Sequence, residues 1–167
     1  MNLDFERKEE INYSIIIPHK NSTVLLERCL KSIPCRKDVQ VIVVDDNSEN
    51  QEELNAVVGG FSQVELILTQ GGGAGHARNE GLKYIRGKWV LFADADDFYN
   101  KNAFSILDNY INSDNDVIYF FANSLDVNTL LPTPREKDLQ NIYEKYDSDN
   151  IRSADYIRFK NWAPWNK

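Results

Sequence analysis

Three carboxylates crowd into four residues at Asp94-Ala95-Asp96-Asp97. Like charges at that spacing repel one another, and a hard divalent cation such as Mg2+ or Mn2+ would neutralise them, because carboxylate oxygens suit such ions. The same ion could hold a diphosphate and screen its charge from an acidic protein. The structural alternative is that Asp97 or Asn100 caps the helix that follows. A second acidic cluster, Asp45-Asp46-Asn47-Ser48, can accept hydrogen bonds from a base N–H or a ribose hydroxyl. It can equally supply an N-cap, through Ser48 or Asn47, to a helix starting near Glu49. Arg78 can reach a phosphate or nucleotide oxygen, and Lys20 is a candidate cation over the same ligand. His19 and His76, the only histidines, fall on different loops without metal-ligand spacing and are not assigned as bases. Gly71-Gly72-Gly73-Ala74-Gly75 fails both phosphate-loop tests: GxGxxG needs glycine where His76 stands, and no Gly-Lys-Ser/Thr follows. It reads as a flexible loop able to open and close over a ligand.

These residues need a frame. Tyr13 to Ile17 is short and β-branched and predicts a strand stopped by Pro18. Ser22 to Ser32 carries Leu25, Leu26, Cys29 and Leu30 at helical spacing, with Ser22 or Thr23 as the cap. Val39 to Val44 predicts a second strand, Glu49 to Val58 a helix closed by Gly59-Gly60, and Val64 to Leu68 a third strand. His76 to Arg86 predicts a helix, Trp89 to Ala93 a fourth strand, Lys101 to Asn112 a helix and Asp116 to Phe121 a fifth strand. Near-continuous apolar strands separated by helices predict an α/β, Rossmann-like, mainly parallel sheet covered on both faces. In such a sheet, ligands bind beyond the carboxyl ends of the strands, at the topological switch point. Pro18-His19-Lys20-Asn21, the Asp45 cluster, the glycine loop with Arg78, and the Asp94 cluster all follow strands and should converge on that one edge.

The 167 residues make about one domain, with 42% hydrophobic and 27% charged residues, ordinary globular usage. Residues 1–12 read as a flexible lead-in and 13–121 as the ligand-binding core, while 122–167 depart from the alternation at Leu131-Pro132-Thr133-Pro134 and turn charged. Two tryptophans close to the last residue, Trp162 and Trp165, bury large area in most proteins, so the chain is expected to stop short of a full second half. Acids outnumber bases 26 to 19, giving a net charge of −7. Without a basic stripe, this argues against nucleic-acid binding. Cys29 and Cys35 are too few for a disulfide framework and form no CxxC pair, which fits reduced thiols in the cytoplasm. No apolar run approaches the roughly 18 residues that cross a bilayer, and the N-terminus lacks the apolar stretch of a signal peptide. A cytoplasmic protein, with membrane contact peripheral at most, is expected.

Five segments, in order, resemble family 2 glycosyltransferases of the GT-A fold. Tyr13-Ser14-Ile15-Ile16-Ile17-Pro18 resembles the opening strand, and Leu26 to Ile33 the first helix. Val43-Val44-Asp45-Asp46-Asn47-Ser48 resembles the nucleotide-contacting strand end. Gly75 to Leu82 resembles the arginine-bearing helix start, and Asp94-Ala95-Asp96-Asp97 the metal-binding DxD region. The resemblance implies a nucleotide-sugar site formed by Pro18, Lys20, Asn21, Asp45, Asp46, Arg78, Asp94 and Ala95. Pro18 and Asp46 would contact the base, usually uracil. Arg78 would approach the base or diphosphate, and Asp94 the ribose or donor sugar. Asp96, with Asp97 as rival, would hold Mn2+ or Mg2+. It also implies inverting, metal-dependent transfer from a UDP-sugar to a hydroxyl of a glycan, a lipid-linked glycan or a protein. Trp165-Asn166-Lys167 resembles the start of a W-x-K segment preceding the carboxylate base, which makes 122–167 the start of the acceptor-side region, places that base beyond Lys167 and leaves this chain the donor half. The alternatives are a sugar nucleotidyltransferase, which would want a glycine-rich loop after strand one, and a non-catalytic nucleotide-binding scaffold.

Overall fold

The computed structural model describes residues 10–118 and 122–136. The chain divides into two units, Met1–Asp114 and Asn115–Lys167. In the first, the order is β1 (Tyr13–His19), α1 (Thr23–Ser32), β2 (Val39–Asp45), α2 (Gln51–Val58), β3 (Val64–Leu68), α3 (Gly73–Gly81), β4 (Trp89–Phe92) and α4 (Ala103–Leu107). Single 3₁₀ turns extend α3 over Leu82–Tyr84 and α4 over Asp108–Tyr110.

The strands form one parallel sheet in the order β3-β2-β1-β4. The chain moves outward from β1 to β3 and then crosses back to lay β4 on the other side of β1, so the switch point lies between β1 and β4. Register follows from burial. Tyr13 stands beside Val39 and Trp89, and Val41 beside Val64. Tyr13, Ile15 and Ile17 share one face with Val39, Val41 and Val43, and there meet Leu26, Cys29 and Leu30 of α1, Leu54 of α2, and Phe104 and Leu107 of α4. Ile16, Ile42 and Val44 point to the opposite face and pack against Ala77 of α3. Both faces are therefore covered, as a parallel sheet requires.

Pro18 does not end β1, which runs on to His19. Backbone groups of alternate residues face alternate neighbours. The Ile16 carbonyl accepts from Ala93 on the β4 side and the His19 carbonyl from Asp46 on the β2 side. The N–H that Pro18 lacks would face β4, whose paired residues stop at Phe92 opposite Ile16, so the missing donor falls just past the last pair of that ladder rather than within it.

Other boundaries also differ from expectation. α3 begins at Gly73, so the last three residues of the glycine segment are helical. The α4 helix spans five residues, Ala103–Leu107. Residues 116–118 form no strand, and 119–121, the rest of the expected fifth strand, lie outside the described residues. So do residues 1–9 of the lead-in and 137–167, including Trp165-Asn166-Lys167. In the second unit, an isolated antiparallel bridge joins Leu125 to Pro132. The Asp126 carboxylate accepts from the N–H groups of Asn128 and Thr129 and shapes the turn between them. No helix among the described residues is long and apolar enough to cross a membrane.

Two polar knots fix the amino-terminal end of the sheet. Ser14 and Gln40 are buried neighbours in the ladder. The Ser14 hydroxyl donates to Gln40 and accepts from the N–H groups of Arg86 and Gly87, while the Gln40 amide donates to the Tyr84 carbonyl. This pins the α3–β4 connection under the sheet. Arg36 makes two bidentate pairs, with Asp38 at 2.7 and 2.9 Å and with Asp108 at 2.8 and 3.1 Å. The Tyr13 hydroxyl donates to Asp108 and Asn12 to Asp38.

The hydrogen bonds from Arg36 hold the Asp38 carboxyl down at about 2, below the ordinary carboxylate range. A carboxyl lowered by folding adds stability that is fully present above its unfolded pKa of roughly 3.9 and is lost as pH falls toward the folded value. Thermal melts between pH 5 and pH 2 should show the melting temperature falling through that window, and Asp38→Asn should lower it at pH 5 while flattening the acid decline. An equally steep decline in the variant would remove Asp38 as a contributor.

Candidate functional site

Asp45 and Asp46 are adjacent, and strand alternation sends them to opposite faces. Asp45 points to the α1–α2 side, where its register partner is His19. His19 Nε2 accepts the Ser22 N–H at 3.2 Å, so Nδ1 carries the proton and donates to Asp45 Oδ1 at 2.9 Å. The Ser48 hydroxyl donates to the same oxygen. Asp45 Oδ2 accepts from the Ser48 N–H at 2.9 Å and the Gln51 amide at 2.8 Å. All four acceptor positions of the carboxylate are filled. Burial alone would push this carboxyl up, and the donors from Ser48, Gln51 and His19 more than offset it, so it titrates below its ordinary value.

Asn21, in the left-handed region at φ 49°, ties the two loops together. It donates its N–H to Ser48 Oγ and accepts from Glu49 N–H, both at 2.9 Å. The cap of α2 is Asn50, which accepts from the Glu53 N–H, since Ser48 is committed to Asp45. Ser22 stands at the N-cap of α1 without a side-chain cap bond, and Thr23 turns its hydroxyl to Glu53.

Asp46 points to the α3 side. It is buried, and its oxygens accept the Gly73 N–H at 3.0 and 3.1 Å. Gly71, Gly72 and Gly73 have φ of 99°, 137° and 84°, values that side chains rarely adopt. The chain thereby turns sharply enough to present the first N–H of α3 to Asp46. The exposed Lys20 ammonium lies 3.6 Å from Asp46 Oδ2. Pro18 is buried beside Val44.

Farther along α3, Arg78 pairs with Asp94 at the end of β4. α3 thus engages both strand-end clusters, Asp46 through its first residue and Asp94 through its sixth. In the acidic turn, the Asp97 N–H closes onto the Asp94 carbonyl at 2.9 Å. Asp94, Asp96 and Asp97 each place a carboxylate oxygen within 4.8 Å of the others. Desolvation is the largest cause pushing the Asp97 carboxyl up, and the charges of Asp94 and Asp96 add to it against the Asp94 N–H and Arg28. Three convergent oxygen donors that repel one another fit a hard divalent cation. Asp97 does not cap α4: Asn102 occupies the N-cap position, and Asn100 accepts its N–H. Ala95 is buried in the core under the turn.

Sequence reasoning missed Arg28. From α1 it donates to the Asp96 carbonyl at 2.6 Å, and its guanidinium lies 5.3 Å from the centre of the Phe98 ring. No local motif marks it, since its partners lie 68 and 70 residues away. His76 stands on α3, 3.7 Å from Glu80, with its ring against Gly72.

The chain matches the family model described as Glycosyl transferase family 2 over residues 14–161. A poly(ribitol-phosphate) beta-glucosyltransferase of Bacillus spizizenii is 34% identical over 98 residues, which are 54% of this chain and 16% of that protein. The poly(ribitol-phosphate) beta-N-acetylglucosaminyltransferase TarS of Staphylococcus aureus is 38% identical over 106 residues, 56% of this chain and 18% of TarS. The crystal structure of residues 1–349 of S. aureus TarS aligns with a TM-score of 0.54 at 28% identity, covering 60% of this chain and 32% of that one. The α/β sheet is that of this GT-A neighbour. The chain spans less than a fifth of the length of these two curated relatives.

Proposed function

The chain belongs to the family 2 glycosyl transferases, and from that premise we propose that its α/β core is the donor half of an inverting transferase that uses a nucleotide diphosphate sugar, with UDP as the nucleotide. The observation that carries this reading is the acidic turn at the switch point, with three carboxylate oxygens within 4.8 Å of one another beside an arginine that orients one of them.

In this reading, Pro18 and Asp46 face the base. Asp46 accepts from a base N–H, and Lys20 balances its charge from the solvent side. Arg78 reaches the diphosphate and orients Asp94 toward the ribose or sugar. Asp96 holds Mn2+ or Mg2+ with Asp97 beside it: among the described residues, the Asp96 carboxylate has no hydrogen-bond or ion-pair partner, whereas Asp94 is engaged by Arg78 and Asp97 by the Asp94 N–H. The bound ion would stabilise charge on the leaving diphosphate. Asp45 supports this floor from within, since its oxygens are taken up by the protein, and Asn21 lies exposed at its rim, tying the β1 and β2 loops together. The acceptor is a hydroxyl of a glycan, lipid-linked glycan or protein. The two relatives' names favour a polymer of the poly(ribitol-phosphate) kind. The base that deprotonates this hydroxyl comes from beyond Lys167, and the enzyme works in the cytoplasm, with membrane contact at most peripheral.

A calorimetric titration of the chain with UDP tests the donor site. Binding should be detectable with Mn2+ and at least roughly tenfold weaker with EDTA, the scale of losing a metal-organising interaction. Equal affinity in both conditions would remove the metal from the reading, and no UDP binding in either would remove the donor site.

A further inference from the structure

The acidic turn is strung between two helices on opposite faces of the sheet. On the α3 side, Arg78 holds Asp94. On the α1 side, Arg28 holds the carbonyl of Asp96 at 2.6 Å and lies against the ring of Phe98. α1 is a firm post for this contact, because Leu26, Cys29 and Leu30 are all at most 1% exposed in the core. Asp96, the carboxylate with the fewest protein contacts of the three, is therefore located through its backbone, which leaves its oxygens available. Sites are accurate when their groups are braced by a rigid element, and Arg28 braces the two residues on either side of Asp97.

Resting on the metal reading above, we propose that Arg28 is a positioning residue for the divalent cation: its grip on the Asp96 carbonyl and the Phe98 ring keeps the carboxylates of Asp94, Asp96 and Asp97 convergent against their mutual repulsion. The competing role is purely electrostatic. A guanidinium beside three carboxylates also offsets their charge, as its downward pull on the Asp97 carboxyl indicates. The two roles predict opposite signs. A counter-charge competes with a metal ion, so removing it tightens metal binding. A brace organises the ligands, so removing it weakens metal binding.

Mn2+ binding to the full chain, without nucleotide, is read by electron paramagnetic resonance from the signal of the free aquo ion, alongside melting temperature and circular dichroism. Arg28→Met removes both charge and donor at similar length. It should weaken Mn2+ binding at least roughly tenfold, within the range for losing a residue that orients metal ligands, with the fold intact. Phe98→Leu should weaken binding in the same direction by a smaller factor, and Arg28→Lys should fall between wild type and Arg28→Met. Unchanged or tighter binding in a folded Arg28→Met overturns the proposal. Should Arg28→Met fail to fold, wild-type affinity in both Arg28→Lys and Phe98→Leu overturns it instead. A wild-type chain that binds no Mn2+ is a separate outcome, which overturns the metal reading itself and this inference with it.

Discussion

Asp96→Ala is expected to abolish the Mn2+ dependence of UDP binding, with affinity in the presence of the metal dropping to the EDTA level of the wild type. Asp96 is exposed, its carboxylate has no hydrogen-bond or ion-pair partner among the described residues, and its backbone is fixed by Arg28. Truncation therefore removes one ligand oxygen while leaving the turn in place. Truncation removes a coordinating oxygen outright, so the loss should equal the one that EDTA produces, at least roughly tenfold. Stability should move by no more than about 0.5 kcal/mol, as for other exposed positions away from caps and cores. Parallel titrations on Asp97→Ala separate the rivals: there, the melting temperature should also change, because Asp97 Oδ2 accepts the Asp94 N–H that closes the turn. Metal-dependent binding that survives Asp96→Ala intact would transfer the ligand role to Asp94 and Asp97.

Gly87→Ala is expected to cost the fold about 3 kcal/mol. A Cβ at Gly87 would lie 2.5 Å from the Ser14 nitrogen and 2.6 Å from the Tyr13 carbonyl carbon. Both are backbone atoms of the central strand β1, held by neighbours on each side, so neither can move aside. Relief must come from shifting the α3–β4 connection, which breaks the 2.8 Å bond from the Gly87 N–H to the Ser14 hydroxyl. The overpacking magnitude translates to a melting-temperature drop on the order of 10–20 °C for a domain of this size. Gly75→Ala is the matched control. It lies inside α3 with nothing within 4 Å of the added Cβ, so the better helix propensity of alanine should leave stability unchanged or raise it by up to about 1 kcal/mol. Melts of the two variants showing similar temperatures would contradict the close approach at Gly87.

The strands were readable because a buried parallel sheet writes itself as apolar runs: Val39–Asp45 and Val64–Leu68 lie where such runs predict them. The convergence of polar clusters on one edge follows from topology, and Arg78, Asp94, Asp96 and Asp97 do meet there. What local reading misses are features fixed by distant partners. Glycines at 73 and 75 argue against a helix by propensity, yet α3 begins there because Asp46, 27 residues earlier, receives its first N–H. Pro18 looks like a stop until the length of β4 is known. The division of labour between Asp45 and Asp46 was available from strand alternation alone, but the donors that saturate Asp45 come from three separate segments. Arg28 is of the same kind: an ordinary helix-surface arginine until the fold brings the acidic turn to it.

The saturation of Asp45 bears on how a ligand would arrive. His19, Ser48, Gln51 and Asn21 lock the ends of β1 and β2 into one shape as the protein folds, so the conformational freedom of that surface is surrendered before any encounter. In the proposed donor site, a nucleotide landing beside Lys20 and Asp46 would then meet a preset rim and give up chiefly its own motion. Capture there should be a single rapid step whose rate tracks guest concentration linearly, without the plateau that a slow reshaping of the host imposes.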